Sequence, residues 1–373
     1  MKKIIILFLC TLFVSNSYAD NTKRSEGGDS DRIEVVREPE VDGFGHIAQK
    51  TIHRLNDQVI LISPFSTNPN KIGNMPTAGS TIATTPLVYH SGPVMTQVST
   101  IYIIWYGNWN QSKGSDTSAG QQLIRDAIYG LSIGGPLSHS GVTTGANSTL
   151  MGSYTQSATL TRPSGQVSSI ASSNISEYTD SSYSQGLPKA GTASLTDAGV
   201  TAVVKNAMTK AGWIPDANAI YLVLTSSDVN ETSGFCSKYC GWHTYTTSLN
   251  VAKTPVKYAF IGNANRCIAS CAPQSTSPNS NPGVDGMISV IAHELEETVT
   301  DPQLNAWYDI NGAENADKCA WTFGSSTGNM KSSVGPYYNV TLPKKSGGDQ
   351  NYLIQRSLAV ANSKCYVDAS GKQ

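Results

Sequence analysis

A histidine and three glutamates stand close together in His293-Glu294-Leu295-Glu296-Glu297, which nearly matches the His-Glu-x-x-His signature of zinc proteases. A glutamate occupies the place of the second histidine. In an α-helix, residues i and i+4 lie on one face, so His293 and Glu297 can bind one metal ion. Glu294 can then act as general base on a metal-bound water. The spacing predicts a metal site with hydrolytic chemistry.

Further ligands are needed, because a hydrolytic zinc site uses about three protein ligands and an open position for water. Glu314 and Asp317 are three residues apart and share a helical face, so we expect the third ligand to be one of them. Asp301 and His243 are the alternatives. His243 or Tyr308 can also donate a hydrogen bond to the oxyanion that develops during hydrolysis, so we count His243 among the catalytic candidates.

The predicted ligand set is rich in oxygen, because it contains one imidazole and several carboxylates. Zinc fits the His-Glu signature, whereas calcium or manganese prefers oxygen ligands, and calcium would favour a structural role. Two interpretations need no metal. The helix can be a surface helix with solvated carboxylates, or its carboxylates can be buried and paired with Arg266 or Lys318.

A helix must present these side chains, and the surrounding apolar residues have its period. Four of them repeat at helical spacing along one side: Ile288, Ile291, Leu295 and Val299. At about 100° per residue, the candidate residues from 293 to 301 fall on the opposite side. Asp285 is the predicted N-cap, and Pro302 ends the helix. The pattern predicts a buried apolar face with a His/carboxylate stripe behind it.

The rest of the chain alternates between strand-like and helical patterns. The predicted strands are Ser99–Trp105, Ala219–Thr225, Val256–Gly262 and Tyr352–Gln355, with a short strand-like run at Leu150–Tyr154. The predicted helices are Gly120–Leu131 and Leu195–Trp213, the latter capped by Thr196 or Ser194, and a further element is expected at Ala313–Trp321. This alternation predicts an α/β (mixed α+β) domain with a single main sheet flanked by helices, including the zincin-like helix.

The N-terminal part of the chain indicates export. A basic start, an apolar run from Ile4 to Val14 and a small-x-small site ending at Ala19 predict a signal peptide over residues 1–19. Residues 20–85 are predicted to be a flexible leader or propeptide, in which the apolar run Val59–Ile62 could form a strand, and residues 86–373 the folded domain. We expect a secreted or periplasmic protein with no integral membrane segment after signal removal.

Six cysteines follow the signal peptide, and an even number in an exported chain predicts disulfides. The two Cys-x-x-x-Cys pairs suggest Cys236–Cys240 and Cys267–Cys271. Cys319–Cys365 is then the remaining bridge and would tie the C-terminal segment to the Glu314/Asp317 region. A zinc site made of four cysteines is the alternative.

The charge pattern gives no indication of nucleic-acid binding or of electrostatic membrane docking. The net charge is −1 and only 14% of the residues are charged. The expected partner is a peptide or protein substrate, or else a cell-wall polysaccharide. Four tryptophans could stack on a sugar or pack in the core: Trp105, Trp109, Trp242 and Trp307.

Ordered motifs over residues 86–366 carry a further signal. They are Val88–Met95, Ile101–Trp109, Gly234–Cys236, Cys240–His243, Tyr258–Asn263, Val284–Leu295, Asn305–Tyr308 and Glu314–Cys319. Together they resemble the plant EXORDIUM or phosphate-induced protein family. The resemblance implies a secreted or wall-associated protein, and in plants the family is tied to growth and to brassinosteroid or phosphate responses, with no settled biochemical activity.

The candidate helix is also similar to that of bacterial exported proteins with a His-Glu-Leu-x-Glu-Ala-x-Thr-Asp-Pro motif. Thr300-Asp301-Pro302 follows this bacterial form, where plant members tend to have Asn before the proline, and Glu296 replaces the usual small residue. A plant hormone role is therefore not carried over. We expect a zinc metallopeptidase, and the alternative is a non-catalytic wall-binding, carbohydrate-binding or signalling protein with a structural metal or acidic cluster.

Overall fold

The computed structural model describes residues 34–41, 47–55, 58–60, 85–96, 98–133, 174–186, 193–324, 336–360 and 363–367. The predicted signal peptide and the strand-like run Leu150–Tyr154 lie outside these ranges. Within the predicted leader, three strands form an antiparallel sheet in the order β1 (Glu34–Val41), β2 (Ile47–Leu55) and β3 (Gln58–Ile60). The first two were not expected from the sequence. Release of this segment as a propeptide stays a prediction.

The elements that follow alternate between strand and helix over much of the domain. In chain order they are β4 (Val88–Tyr89), β5 (Thr100–Tyr106), α1 (Ser118–Ile133), β6 (Ile175–Asp180), β7 (Ala193–Leu195), α2 (Asp197–Ala211), β8 (Ala219–Thr225), β9 (Val229–Glu231), β10 (Gly241–Thr246), β11 (Val256–Ile261), α3 (Ile268–Cys271), α4 (Pro282–Thr300), β12 (Trp307–Tyr308), β13 (Val340–Pro343), β14 (Asp349–Tyr352), β15 (Ser357–Ala359) and β16 (Lys364–Tyr366). Short 3-10 turns lie at Ala264–Arg266 and Asp317–Cys319.

A five-stranded sheet in the order β10-β11-β8-β5-β6 organises the domain. The pairs β11-β8, β8-β5 and β5-β6 are parallel, and β10 is antiparallel to β11 at one edge. Strands β8 and β11 are buried along their whole length, as continuous apolar runs predict for strands covered on both faces. The predicted fold class, mixed α/β with one main sheet and flanking helices, is confirmed.

Helix α4 begins earlier than the sequence analysis expected. Its N-cap is Asn281, whose side chain accepts a hydrogen bond from the Val284 backbone N–H, and Pro282 is the first helical residue. The prediction of Asp285 as N-cap is wrong, because the Asp285 carboxylate instead accepts hydrogen bonds from the Ser277 hydroxyl and the Asn279 side chain. In α2, by contrast, Thr196 is the observed cap.

Helix α4 is enclosed on all sides. Every residue from Gly283 to Thr300 is buried, since α1, α3, β10 and β11 all contact the helix. The surface-helix interpretation of its carboxylates is therefore wrong. The segment 353–355, predicted as part of a strand, is a loop that packs on the helix, and the Gln355 backbone N–H donates to the Ser289 hydroxyl at 3.1 Å.

Two of the three predicted disulfides are wrong. The bridges are Cys236–Cys267 and Cys240–Cys271, with Cα–Cα distances of 5.7 and 5.4 Å. Cys267 and Cys271 lie one helical turn apart at α3, so both sulfurs face the 236–240 loop and each binds one of its cysteines. The third bridge, Cys319–Cys365, is confirmed. In the described part of the chain, no helix is both long and apolar enough to cross a membrane.

Candidate metal centre

Three elements bring the candidate ligands together. Helix α4 carries His293 and Glu297, β10 carries His243, and the turn after β12 carries Glu314 and Asp317. The position of His243 follows from strand geometry, because neighbouring residues of a strand point to opposite faces. Trp242 packs on Phe260 and Tyr258, so His243 faces the other way, towards α4. We call the five ligand candidates the His/carboxylate cluster.

His293 lies between two carboxylates. Its Nε2 is 3.1 Å from Glu297 Oε1, at the i, i+4 spacing that the sequence indicated. The same Nε2 is 3.5 Å from Asp317 Oδ1. The Asp317 backbone N–H donates to Glu297 Oε1 at 3.1 Å and so ties the turn to the helix. Donor atoms of these three residues all lie within 4.8 Å of one another.

His243 lies on the other side of Glu297. Its Nε2 is 2.8 Å from Glu314 Oε2 and 3.6 Å from Glu297 Oε2. These three side chains also bring one donor atom each within 4.8 Å of the others. The turn is held internally, because the Glu314 backbone N–H donates to Asp317 Oδ2 at 3.1 Å. The sequence offered Glu314 and Asp317 as alternatives, and the structure brings both to the cluster.

Close packing of β10 against α4 brings Glu294 near the cluster. A Cβ at Gly241 would lie 2.6 Å from Val290 Cγ1 and 3.0 Å from Glu294 Oε1, so only glycine lets the helix approach the strand this closely. Glu294 is fully buried, and within the described residues neither of its carboxylate oxygens has a hydrogen-bond partner. Within the same residues, Asp301 Oδ2 and Glu297 Oε2 are also buried without a hydrogen-bond partner.

Burial dominates the electrostatics of the site. It raises the pKa of Glu294, Glu297 and Asp301 well above the ordinary values, and repulsion from other carboxylates adds to the rise. Burial lowers the pKa of His243 to about 4. Burial also acts to lower the pKa of His293, but its hydrogen bond with Asp317 and the surrounding carboxylates outweigh that effect, so the pKa is raised.

The two cations considered as partners are engaged elsewhere. Lys318 Nζ forms a salt bridge with Asp309 Oδ2 at 2.6 Å and donates to the Thr85 carbonyl at 2.6 Å. Arg266 donates to the Ser227 carbonyl at 3.4 Å. Charge compensation by these side chains therefore does not account for the buried carboxylates.

Gln355 contacts His293 and was missed by the sequence analysis. Its amide is oriented by two backbone groups, because Oε1 accepts from the Trp321 N–H at 3.1 Å and Nε2 donates to the Ala316 carbonyl at 2.8 Å. That orientation also places Nε2 2.8 Å from His293 Nδ1, which must then accept. Neutral His293 therefore carries its proton on Nε2. Metal binding at Nε2 requires the other tautomer, and so requires this contact to rearrange.

The donor set nonetheless fits a tetrahedral dication. Ligand atoms about 2.0–2.1 Å from zinc lie about 3.3 Å from each other at the corners of a tetrahedron. The contacts of His293 with Glu297 and Asp317, at 3.1 and 3.5 Å, lie on either side of that value. Fully buried carboxylate oxygens without hydrogen-bond partners are costly unless a cation or a proton compensates them.

Residues 87–367 match the phosphate-induced protein 1 conserved region. The chain belongs to this family. It is 33% identical to Protein EXORDIUM-like 3 of Arabidopsis thaliana over 303 residues, which cover 72% of this chain and 79% of that protein. Protein EXORDIUM-like 5 of the same plant is 32% identical, with 72% and 74% covered, and Protein EXORDIUM is 30% identical, with 62% and 70% covered. No solved structure matches significantly.

All ligand candidates of this phosphate-induced protein 1 family member lie inside the matched region, as do Glu294 and Asp301. His243, His293, Glu297 and Glu314 are at most 1% exposed, whereas the Asp317 side chain is 12% exposed. Asp317 therefore marks the edge of the cluster that is nearest to solvent.

The remaining candidates are engaged in packing contacts. Tyr308, considered as an oxyanion donor, stacks on His90 with ring centroids 3.6 Å apart. The four tryptophans considered for sugar stacking are buried, so core packing is their role: Trp105, Trp109, Trp242 and Trp307. The described residues thus offer no exposed platform made of these indole rings.

Proposed function

We propose that this family member is an exported zinc-dependent hydrolase that cleaves peptide bonds, with the ion held by His293, Glu297 and Asp317. The observation that carries the proposal is the spacing of these donors, 3.1 and 3.5 Å around one imidazole nitrogen. Three disulfides support export, since such bridges persist in oxidising compartments.

Glu294 is the proposed general base. When bound, the ion would supply Lewis-acid activation of a water molecule and of the scissile carbonyl. The carboxylate oxygens of Glu294 have no competing hydrogen bond within the described residues, so they are free to take a proton from that water and later pass it to the leaving amine. His243 is the proposed donor to the developing oxyanion. Substrate would approach at Asp317, the most exposed ligand.

A structural cation is the second candidate function, and the burial of the site favours it. Four of the five residues in the His/carboxylate cluster are at most 1% exposed, which restricts the access of a peptide. In this case the ion, zinc or instead calcium or manganese, only compensates the carboxylates. The protein would then act as a non-catalytic wall-binding, carbohydrate-binding or signalling protein.

The test begins with the metal content of the purified mature protein after dialysis, measured by plasma mass spectrometry. The proposal predicts one or more equivalents of zinc, with the zinc at this triad lost in His293→Ala. A protein that takes up no metal, even when zinc is added, would overturn both functions.

Glu294→Gln then separates catalysis from structure. It should lower kcat for fluorogenic peptides by about 10²–10⁴-fold, while zinc content stays unchanged. Glu296→Gln is the matched control, because Glu296 is an equally buried glutamate on the same helix that contacts Ser357 instead. Zinc binding without cleavage of any peptide would leave only the structural role for the ion. Cleavage that neither Glu294→Gln nor Glu296→Gln slows would contradict the proposed general base and would likewise leave the ion its structural role.

A further inference from the structure

The two carboxylate oxygens of Glu297 face different histidines. Oε1 is 3.1 Å from His293 Nε2, and Oε2 is 3.6 Å from His243 Nε2. The two imidazoles come from separate elements, α4 and β10, and each lies against a different oxygen of the carboxylate. A carboxylate in this position has the arrangement of a bridge between two ions.

Each histidine also has a carboxylate of its own. Asp317 lies 3.5 Å from His293, and Glu314 lies 2.8 Å from His243. The result is two triads, each with one imidazole and two carboxylates, which share Glu297. The proposed hydrolase uses only the first triad and leaves the second without a role.

Two observations beyond the grouping of acidic residues point to a ligand at the second triad. Glu297 Oε2 faces His243 Nε2, yet within the described residues it has no hydrogen-bond partner and is fully buried. Asp301 Oδ2 is likewise buried without a partner, and Asp301 is near enough to His243 and Glu314 to interact with both electrostatically. A cation would stabilise buried carboxylate oxygens that have no hydrogen-bond partner.

Charge balance supports two ions over one. Five carboxylates surround the two imidazoles: Glu294, Glu297, Asp301, Glu314 and Asp317. When all five are ionised, a single dication leaves a large uncompensated negative charge in a region of low dielectric constant, whereas two dications nearly cancel it without protonation of the carboxylates.

We propose that the His/carboxylate cluster binds two divalent cations bridged by Glu297, with the second held by His243 and Glu314. This inference rests on the proposed function for the first ion. In hydrolases that use two metals, the ions lie about 3.5–4 Å apart, a separation that one carboxylate can bridge. His243 and Glu314 would then bind one ion in place of their mutual hydrogen bond. His243 would act as a metal ligand and would no longer donate to the oxyanion.

The experiment is a titration of the dialysed full chain with Zn²⁺, with bound metal counted by plasma mass spectrometry. The wild type should bind two equivalents. His243→Ala and Asp317→Ala should each bind one, and Glu297→Ala should bind none with comparable affinity. Glu296→Gln, which alters a buried glutamate outside the cluster, should still bind two.

Electron paramagnetic resonance of the Mn²⁺-loaded protein gives an independent readout. The wild type should give an exchange-coupled spectrum of two neighbouring ions, and His243→Ala should give that of one isolated ion. Near-ultraviolet circular dichroism checks that each variant is folded. If His243→Ala is not folded, His243→Asn takes its place.

The outcomes separate the two proposals. One equivalent in the wild type that is unchanged in His243→Ala and lost in His293→Ala overturns the second ion and keeps the first. Two equivalents without magnetic coupling overturn the Glu297 bridge. Binding of no metal by the wild type overturns both proposals.

Discussion

The Cys319–Cys365 disulfide joins strand β16 to the turn that carries Asp317, and its removal tests how that turn is held. The bridge closes a loop with a sequence separation of 46 residues, and both cysteines are buried. For a loop of this length, the entropy that the bridge removes from the unfolded chain is worth about 4 kcal/mol at 25 °C. The double variant Cys319→Ala/Cys365→Ala should lose about that much free energy of unfolding.

The assay is unfolding in guanidinium chloride followed by tryptophan fluorescence, with zinc affinity measured on the same samples. The control is Cys236→Ala/Cys267→Ala, which removes a bridge with a separation of 31 residues. The intact Cys240–Cys271 bridge still confines this loop, so the cost should be lower, about 2.5 kcal/mol. The control should thus be destabilised somewhat less than the first variant. Zinc affinity should fall only in the first, because only Cys319 adjoins the turn with Asp317.

Two results would refute this reasoning. A loss below about 1 kcal/mol in Cys319→Ala/Cys365→Ala would mean that the bridge does not stabilise the fold by restricting the unfolded chain. Equal weakening of zinc binding in both variants would mean that the effect is a general loss of stability, and that the bridge has no particular part in holding the turn.

Two further predictions concern stability. Burial, reinforced by repulsion from Glu231, raises the pKa of Asp197 to about 7, so the folded protein holds this proton more tightly than the unfolded chain does. The contribution of Asp197 to stability should therefore fall as pH rises from about 4 to about 7, by up to about 4 kcal/mol. Asp197→Asn should remove this contribution, so its melting temperature should fall less across this range than that of the wild type. Gly92→Ala should cost about 1–3 kcal/mol in denaturant unfolding, because the added Cβ would overlap the Asn305 carbonyl. Gly199→Ala is the control, where the nearest atom to an added Cβ is 3.3 Å away, and equal losses in both would contradict the clash.

Much of the fold could be predicted from local patterns. The strand Ala219–Thr225 was predicted at its observed bounds, and Val256–Gly262 to within one residue of β11, because uninterrupted apolar runs mark strands buried on both faces. The helical period likewise located α4 and placed His293 and Glu297 on one face. Such signals survive in the sequence because each depends on residues that are near neighbours in the chain.

What the tertiary structure alone decided involves residues far apart in sequence. The proximity of His243 to Glu314, 71 residues later, and the contact of Gln355 with His293, 62 residues earlier, have no periodic signature. The pairing of Cys236 with Cys267 has none either, and nearness in sequence suggested the wrong partner.

The environment of the polar side of α4 also could not be predicted from the sequence. By itself the sequence determined that α4 is a helix, that one side of it is apolar, and that a histidine and carboxylates line the other side. Helical periodicity separates polar from apolar residues, but it does not tell whether water or a second layer of protein covers the polar side. Only the tertiary structure placed β10 and the Glu314–Asp317 turn over that side, and so turned a stripe of acidic residues into a buried cluster.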